Sequence, residues 1–195
     1  MSVFTPKAGS HAIERDASNT RPTTRENIRV AAGETIVVAV LAFLIPFILE
    51  GPQLLVGSLV NAALVYAALN VSAGRALPVV FMPSIAALSR GALFGALTPY
   101  LAIMLPVIWA GNVLLVYSIK MAAARSVPLW ISLPGAAALK AGVIFLFAFL
   151  MVQVDVLPPA MVSAMGIVQL ATALIGAAIA VGATGIVNRL ISVNE

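Results

Sequence analysis

The chain has 195 residues, of which 62% are hydrophobic and 9% are charged, and its formal net charge is +4. Soluble domains are about 45–50% apolar and about 25% charged, so a soluble fold of this size lacks the interior to bury so much apolar surface. The composition therefore predicts an all-α membrane protein, because its long apolar stretches do not alternate as barrel strands would. The absence of cysteine excludes disulfides and iron–sulfur ligation, and the basic excess fits cytoplasmic membrane-flanking charges rather than nucleic-acid binding.

Residues 1–30 differ from the rest of the chain, because they are polar and mix basic with acidic side chains. Such a segment buries too little apolar surface to fold alone, so we predict a disordered cytoplasmic tail without a signal peptide. The single histidine, His11, lies in this tail. Since metal sites need several convergent ligands, we predict no metal and no cofactor.

Six apolar stretches follow the tail and form one predicted transmembrane domain, residues 31–195. Each stretch is long enough for a helix that crosses the bilayer. The predicted spans are residues 31–49, 53–71, 76–96, 98–120, 129–153 and 160–187. The sequence therefore predicts a bundle of about six transmembrane helices.

The distribution of lysine and arginine supports an even number of crossings. These residues are enriched in the cytoplasmic loops of membrane proteins. Here they fall in the tail, in the second and fourth loops and at the C-terminal end, whereas the first and fifth loops carry the acidic Glu50 and Asp155. Both termini are therefore predicted to be cytoplasmic.

Lys140 stands about 11 residues into the fifth predicted span, or roughly 16 Å from its start. A lysine near the midplane costs at least about 2.5–3.5 kcal/mol on insertion scales. Two interpretations are open: the side chain faces the bundle interior and meets an anionic group of a ligand, or it extends to the headgroups. Arg90 in the third span has the same two interpretations, and both cations together would make a cavity electropositive.

Pro83 and Ser84 interrupt the third predicted span. A proline removes a backbone amide and clashes with the carbonyl one turn earlier. A complete break would create a helix N-terminus inside the membrane, whose amides and the Ser84 hydroxyl could hold an anion. A simple kink in a continuous helix is the alternative.

Four side-chain amides also lie in the predicted spans. Within the membrane such groups need partners, which are either neighbouring helices or a ligand. Together with Ser84 and Lys140 they favour a polar cavity. The predicted substrate-binding residues are Gln53, Asn61, Ser84, Asn112, Lys140 and Gln169.

Small residues recur at every fourth position in the first span (Ala31, Thr35, Ala39) and in the sixth span (Gly176, Ala180, Thr184). Such stripes allow helices to approach closely. They serve either packing within the bundle or docking to a partner membrane protein.

Several stretches resemble a family of small bacterial and archaeal membrane proteins: residues 51–62, 82–88, 99–106, Gly111-Asn112, Leu139-Lys140, and Gln169 with Thr172. This family is similar in size and layout to the substrate-binding S components of energy-coupling factor (ECF) transporters, over about residues 50–180. The resemblance implies a six-helix bundle with a ligand pocket towards the outer face. It also implies a partner T component with ATPase subunits, which would dock on the stripe Ala31, Thr35 and Ala39. Arg90 departs from the family pattern, in which an apolar or small residue is usual.

Members of that family sometimes carry the label "iron hydrogenase", but a chain without cysteine cannot supply the thiolates of such a centre. We therefore expect a non-enzymatic transport subunit in a bacterial or archaeal inner membrane, with a small, anionic metabolite as ligand. A membrane assembly protein without a ligand is the first alternative. An intramembrane enzyme is the second, with Ser84 or Ser89 as nucleophile and Lys140 as base.

Overall fold

In the computed structural model, residues 24–49, 51–91 and 95–192 are described, and all their regular secondary structure is helical. The predicted tail up to residue 23, including His11, lies outside these residues. The helices are α1 (Thr24–Ile48), α2 (Gln53–Asn70), α3 (Leu77–Arg90), α4 (Thr98–Ala124), α5 (Leu129–Gln153), α6 (Ala160–Met165) and α7 (Ile167–Ser192). Two short 3₁₀ turns, Ala73–Ala76 and Gly95–Leu97, precede α3 and α4.

Five helical segments among the described residues are long and apolar enough to cross a membrane. They are Ala31–Ile48, Gln53–Asn70, Gly95–Ala124, Leu129–Gln153 and Ala160–Val187. The prediction of an all-helical, multi-pass membrane protein is thereby confirmed. Helix α1 begins at Thr24, earlier than the predicted start at residue 31.

The third predicted span is shorter than expected. Helix α3 has 14 residues and ends at Arg90, instead of continuing to residue 96. Gly91 follows with φ of 73°, a left-handed conformation that terminates helices and that glycine adopts without strain. At about 1.5 Å per residue, α3 alone is about 21 Å long and shorter than the hydrocarbon core of a bilayer.

The sixth predicted span is divided into α6 and α7. The break falls at Gly166, whose backbone leaves the helical region. A Cβ at this position would lie 2.7 Å from the Phe145 ring and 2.9 Å from the Val162 carbonyl oxygen. Only glycine therefore fits this turn beside α5.

Helix α2 lies at the centre of the bundle and packs against α1, α4 and, most extensively, α7. The approach to α7 is close, because a Cβ on Gly176 would lie 2.7 Å from the Asn61 Cβ and from backbone atoms of Ser58 and Ala62. Ala180 is buried nearby, and Asn70 donates to Thr184 Oγ1 at 3.2 Å. The small residues of the sixth predicted span therefore serve packing within this bundle.

Two apolar clusters form the core, and polar residues lie between them along three helices. On α4, Met104 and Ile108 belong to one cluster and Leu115 to the other, and Asn112 lies between them. Ser84 on α3 and Lys140 on α5 likewise lie between residues of the two clusters. The polar residues thus form a layer inside the bundle.

Two basic side chains cap the C-terminal ends of neighbouring helices. Lys120 Nζ donates to the carbonyls of Ala67, Ala68 and Val71 at the end of α2. Arg90 donates to the carbonyls of Phe47 and Ile48 at the end of α1. Cations at these positions satisfy open carbonyls and oppose the helix dipole.

Candidate functional site

All six predicted substrate-binding residues line one cavity inside the bundle. The cavity has a volume of about 70 Å³, and its walls come from α1, α2, α3, α4, α5 and α7. Its polar lining consists of Gln53, Asn61, Ser84, Asn112, Lys140, Gln169 and Thr172. The structure therefore brings together side chains that are up to 116 positions apart in the sequence, from Gln53 to Gln169.

Lys140 points into the bundle and does not reach the headgroups. Its side chain is 2% exposed, and Nζ donates to Asn61 Oδ1 at 2.6 Å. The aliphatic stem passes close to Gly111 of α4, where a Cβ would lie 3.4 Å from Lys140 Cγ. Asn61 is the only hydrogen-bond partner of this ammonium among residues 24–49, 51–91 and 95–192. Two of its three N–H groups are therefore open to a ligand.

Asn61 connects Lys140 to α7. Its Nδ2 donates to Thr172 Oγ1 at 3.1 Å and to the Gly57 carbonyl at 2.9 Å, and Thr172 Oγ1 donates to the Gln169 carbonyl at 3.0 Å. Since a lysine ammonium can only donate, the amide oxygen of Asn61 must face it, which fixes the orientation of the amide. Thr172 was absent from the predicted site residues. It could have been found from the sequence, because it stands three residues after Gln169 and therefore lies on the same helix face.

Asn112 lines the cavity and connects α4 to α3. Its Nδ2 donates to the Val80 carbonyl of α3 at 3.0 Å, and the residue is 2% exposed. Its Oδ1 is buried without a hydrogen-bond partner in the described part of the chain. Leaving a buried acceptor unpaired costs about 1–3 kcal/mol.

Ser84 is held in place by α4 and by its own helix. Trp109 Nε1 donates to Ser84 Oγ at 2.7 Å, and Oγ donates to the Phe81 carbonyl at 3.2 Å. Helix α3 is continuous through Pro83, so of the two alternatives the uninterrupted helix forms and no helix N-terminus arises at Ser84. Trp109 was not among the predicted site residues, and it contacts the site through its hydrogen bond to Ser84.

Gln53 and Gln169 complete the polar lining, and both are half-buried. Gln53 Nε2 donates to the Ala164 carbonyl of α6 at 3.2 Å. Gln169 makes no side-chain hydrogen bond to the part of the chain described here. Its amide therefore presents one acceptor and two donors.

Lys140 is the one basic residue among the described residues that line the cavity. None of the described residues that line it is acidic, and Arg90 is not among them because it caps α1. The acidic Glu34 of α1 instead accepts a hydrogen bond from the Tyr66 hydroxyl at 3.1 Å. In the described ranges no group of three or more acidic, histidine or cysteine side chains could hold a metal ion.

The predicted docking stripe on α1 is partly used inside the bundle. Thr35 is buried and donates to the Ala31 carbonyl at 2.9 Å, and Ala31 and Ala39 are half-buried. Ala39 packs against the apolar core. The neighbouring face of α1 is exposed, with Ile36 at 62% and Val37 at 58%.

Comparisons with protein-family models, with curated proteins and with solved structures found no match to this chain. The resemblance to S components therefore stays a prediction.

Proposed function

We propose that this chain is the substrate-binding membrane subunit of an uptake transporter for a small anionic metabolite, similar to the S components of ECF transporters. One observation carries the proposal: Lys140 is buried at a cavity whose lining includes amide and hydroxyl side chains, and among the described residues it has a single hydrogen-bond partner and no acidic residue beside it in the lining. A cation inside the membrane is costly. A bundle that needed only to pack would be more stable with an apolar side chain there, so the lysine indicates a ligand.

Six crossings with both ends in the cytoplasm fit this role in a bacterial or archaeal inner membrane. Helix α3 follows directly on the 3₁₀ turn Ala73–Ala76. Laid end to end along one axis, they would extend over about 29 Å, from about 2.0 Å per residue in the turn and about 1.5 Å in the helix. That length approaches the thickness of the hydrocarbon core, which supports α3 as a sixth crossing. The alternation of basic residues between loops gives the same topology.

Energy for transport would come from partner subunits. The chain has no Walker motif that could bind ATP, and the proposed partners are a T component and ATPase subunits. The exposed face of α1, with Ile36, Val37, Val40 and Leu41, is the surface on which such a partner would dock.

A non-catalytic role fits the contacts of Ser84. A serine nucleophile activated by lysine needs a hydrogen bond between the two side chains. The Ser84 hydroxyl donates to the Phe81 carbonyl, and Lys140 donates to Asn61. The two residues thus share the cavity without forming such a pair.

The test is purification of the full chain from its native membrane in lipid nanodiscs, followed by mass spectrometry of retained solutes and of co-purified subunits. We expect a retained small metabolite that disappears in Lys140→Met while membrane insertion stays normal. The matched control is Arg125→Gln, which removes a positive charge at an exposed site outside the cavity. Purification without any retained solute, and a Lys140→Met chain that complements a deletion strain, would favour the ligand-free assembly protein.

A further inference from the structure

A groove between α4 and α5 lies on the outer surface of the bundle, away from the cavity around Lys140. Its volume is about 400 Å³, which is within the roughly 300–1,000 Å³ of small-molecule sites. The lining runs along α4 from Val113 to Arg125, the residue directly after that helix, and is completed by Val127 and Leu139. None of the described residues that line the groove also lines the cavity. The groove and the cavity are therefore separate sites.

The groove follows one face of α4. Its lining positions include Leu114, Ser118, Met121 and Arg125, which are three or four residues apart and therefore stack above one another on a helix. From Val113 to Arg125 the rise is about 18 Å, at about 1.5 Å per residue. A hydrocarbon core of about 30 Å has leaflets of about 15 Å, so the groove has about the depth of one leaflet.

Arg125 lies at the surface end of this groove. The apolar segment Gly95–Ala124 ends one residue before it, which places Arg125 at the level of the headgroups. Its side chain is exposed, and the guanidinium has no hydrogen-bond or salt-bridge partner among residues 24–49, 51–91 and 95–192. The opposite end, at Val113, is about halfway along α4 and therefore near the bilayer midplane.

The rest of the groove surface is apolar. Two hydroxyls line it, and both are bonded to backbone carbonyls: Tyr117 donates to Ala73 at 3.0 Å, and Ser118 donates to Leu114. No acidic residue lines it in the described part of the chain. The groove thus combines an apolar channel of one leaflet's depth with a cation at its surface end, Arg125.

We propose that the groove holds one anionic phospholipid, with its phosphate on the Arg125 guanidinium and one acyl chain along α4. A guanidinium pairs with phosphate through two parallel N–H donors, and basic pockets between transmembrane helices bind anionic headgroups. A zwitterionic phospholipid carries the same phosphate, but also an ammonium group that the guanidinium repels. A partner helix fits less well, because it would cross the whole bilayer, whereas the groove ends at Val113.

Two phospholipids with the same acyl chains test the requirement for charge. The full chain is reconstituted in vesicles of equal parts palmitoyl-oleoyl phosphatidylglycerol and phosphatidylcholine, extracted in a neutral detergent, and analysed for retained lipid by native mass spectrometry. We expect a preference for phosphatidylglycerol of about fivefold, the effect of one basic residue at the membrane surface. Arg125→Gln should retain the two lipids equally. The matched control is Arg189→Gln, which removes a positive charge at an exposed site outside the groove and should keep the preference.

Ala122→Trp tests the acyl-chain channel, because it fills the groove with an apolar side chain and leaves Arg125 in place. Retention of both lipids should fall several-fold in this variant. Ala123→Trp, at an exposed position of the same helix outside the groove, should retain the wild-type amount. Since Arg125→Gln changes an exposed side chain without a partner in the described ranges, its result stands even if Ala122→Trp fails to fold.

Three outcomes would overturn the lipid site: equal retention of the two lipids by the wild type, a preference that persists in Arg125→Gln, or unchanged retention in folded Ala122→Trp. Lipid retention that appears only after a co-purified membrane subunit has been removed would also overturn it, since the groove would then belong to that subunit. The carrier function is decided separately, by the solutes that the chain retains on purification.

Discussion

Lys140 on α5 and Asn61 on α2 are 79 positions apart in the sequence, and their side chains meet at 2.6 Å inside the bundle. Asn61 in turn holds Thr172 on α7. The pair therefore connects three helices through one amide. Because hydrogen bonds to charged groups are stronger than neutral ones, this contact has consequences for stability as well as for ligand binding.

The first prediction concerns Asn61→Leu. The substitution removes the acceptor of Lys140 and leaves the ammonium buried without a partner, so we expect a loss of about 2–3 kcal/mol in the free energy of unfolding. Titration of the protein with SDS in mixed micelles measures this quantity. Asn70→Leu, on the same helix at an exposed site, is the matched control and should lose less.

A double-mutant cycle separates the ion–amide contact from other effects of the change. In the background of Lys140→Met, Asn61→Leu should lower the free energy of unfolding markedly less, since no buried lysine remains without its acceptor. Equal costs in both backgrounds would show that the contact between Lys140 and Asn61 contributes nothing to stability.

The sequence predicts that Asn61 turns to protein, because lipid does not solvate an amide. For Lys140 it leaves the inward orientation and the headgroup orientation open, because a lysine stem is long enough to reach the membrane surface. The partners of both side chains could not be predicted. Whether Asn61 meets Thr172, or Ser84 meets Trp109, depends on the rotation of each helix about its axis. For α2 and α7, close packing at Gly57 and Gly176 fixes this rotation. Hydropathy alone also does not reveal that α3 ends at Gly91, whose backbone is left-handed, because apolar residues continue beyond this glycine.

The second prediction concerns the contact between α2 and α7. A Cβ introduced by Gly176→Ala would lie 2.7 Å from backbone atoms of α2, which cannot move aside as a side chain can. We expect the helices to separate and the free energy of unfolding to fall by about 1–3 kcal/mol, the usual cost of overpacking.

Gly182→Ala, on the same helix with no atom within 4 Å of the new Cβ, is the control. It should leave stability unchanged or raise it slightly, because alanine favours the helix. A similar loss in both variants would contradict the close approach of α2 and α7.

The third prediction separates ligand binding from stability. In Gly111→Ala the new Cβ would meet the Ile144 side chain at 2.7 Å and the Lys140 stem at 3.4 Å. Both are side-chain atoms that can shift, so the protein should fold, but the ammonium of Lys140 should be displaced. We expect retention of the bound solute to fall several-fold, with a change in the free energy of unfolding below about 1.5 kcal/mol.

The control for Gly111→Ala is Gly142→Ala on α5, where the new Cβ has no atom within 4 Å. Solute retention, measured by mass spectrometry of the purified protein, should stay at the wild-type level in this variant. If Gly111→Ala retains as much solute as Gly142→Ala, the position of the Lys140 stem does not determine binding.

Lys120 and Lys140 should respond in opposite ways to removal of their side-chain amines. Lys120 donates to three carbonyls at the end of α2 and lies outside the cavity, so its role is structural. Lys120→Met leaves these carbonyls without their donor, and we expect a loss of about 1–2 kcal/mol in the free energy of unfolding, with solute retention preserved in the folded protein. Lys140→Met removes a cation that has one acceptor, so stability should be unchanged or higher while retention is lost. SDS unfolding and retained solute, measured in parallel for the two variants, test these two roles. If Lys120→Met loses its solute at wild-type stability, or Lys140→Met keeps its solute, the assignment of Lys120 to the scaffold and Lys140 to the ligand is wrong.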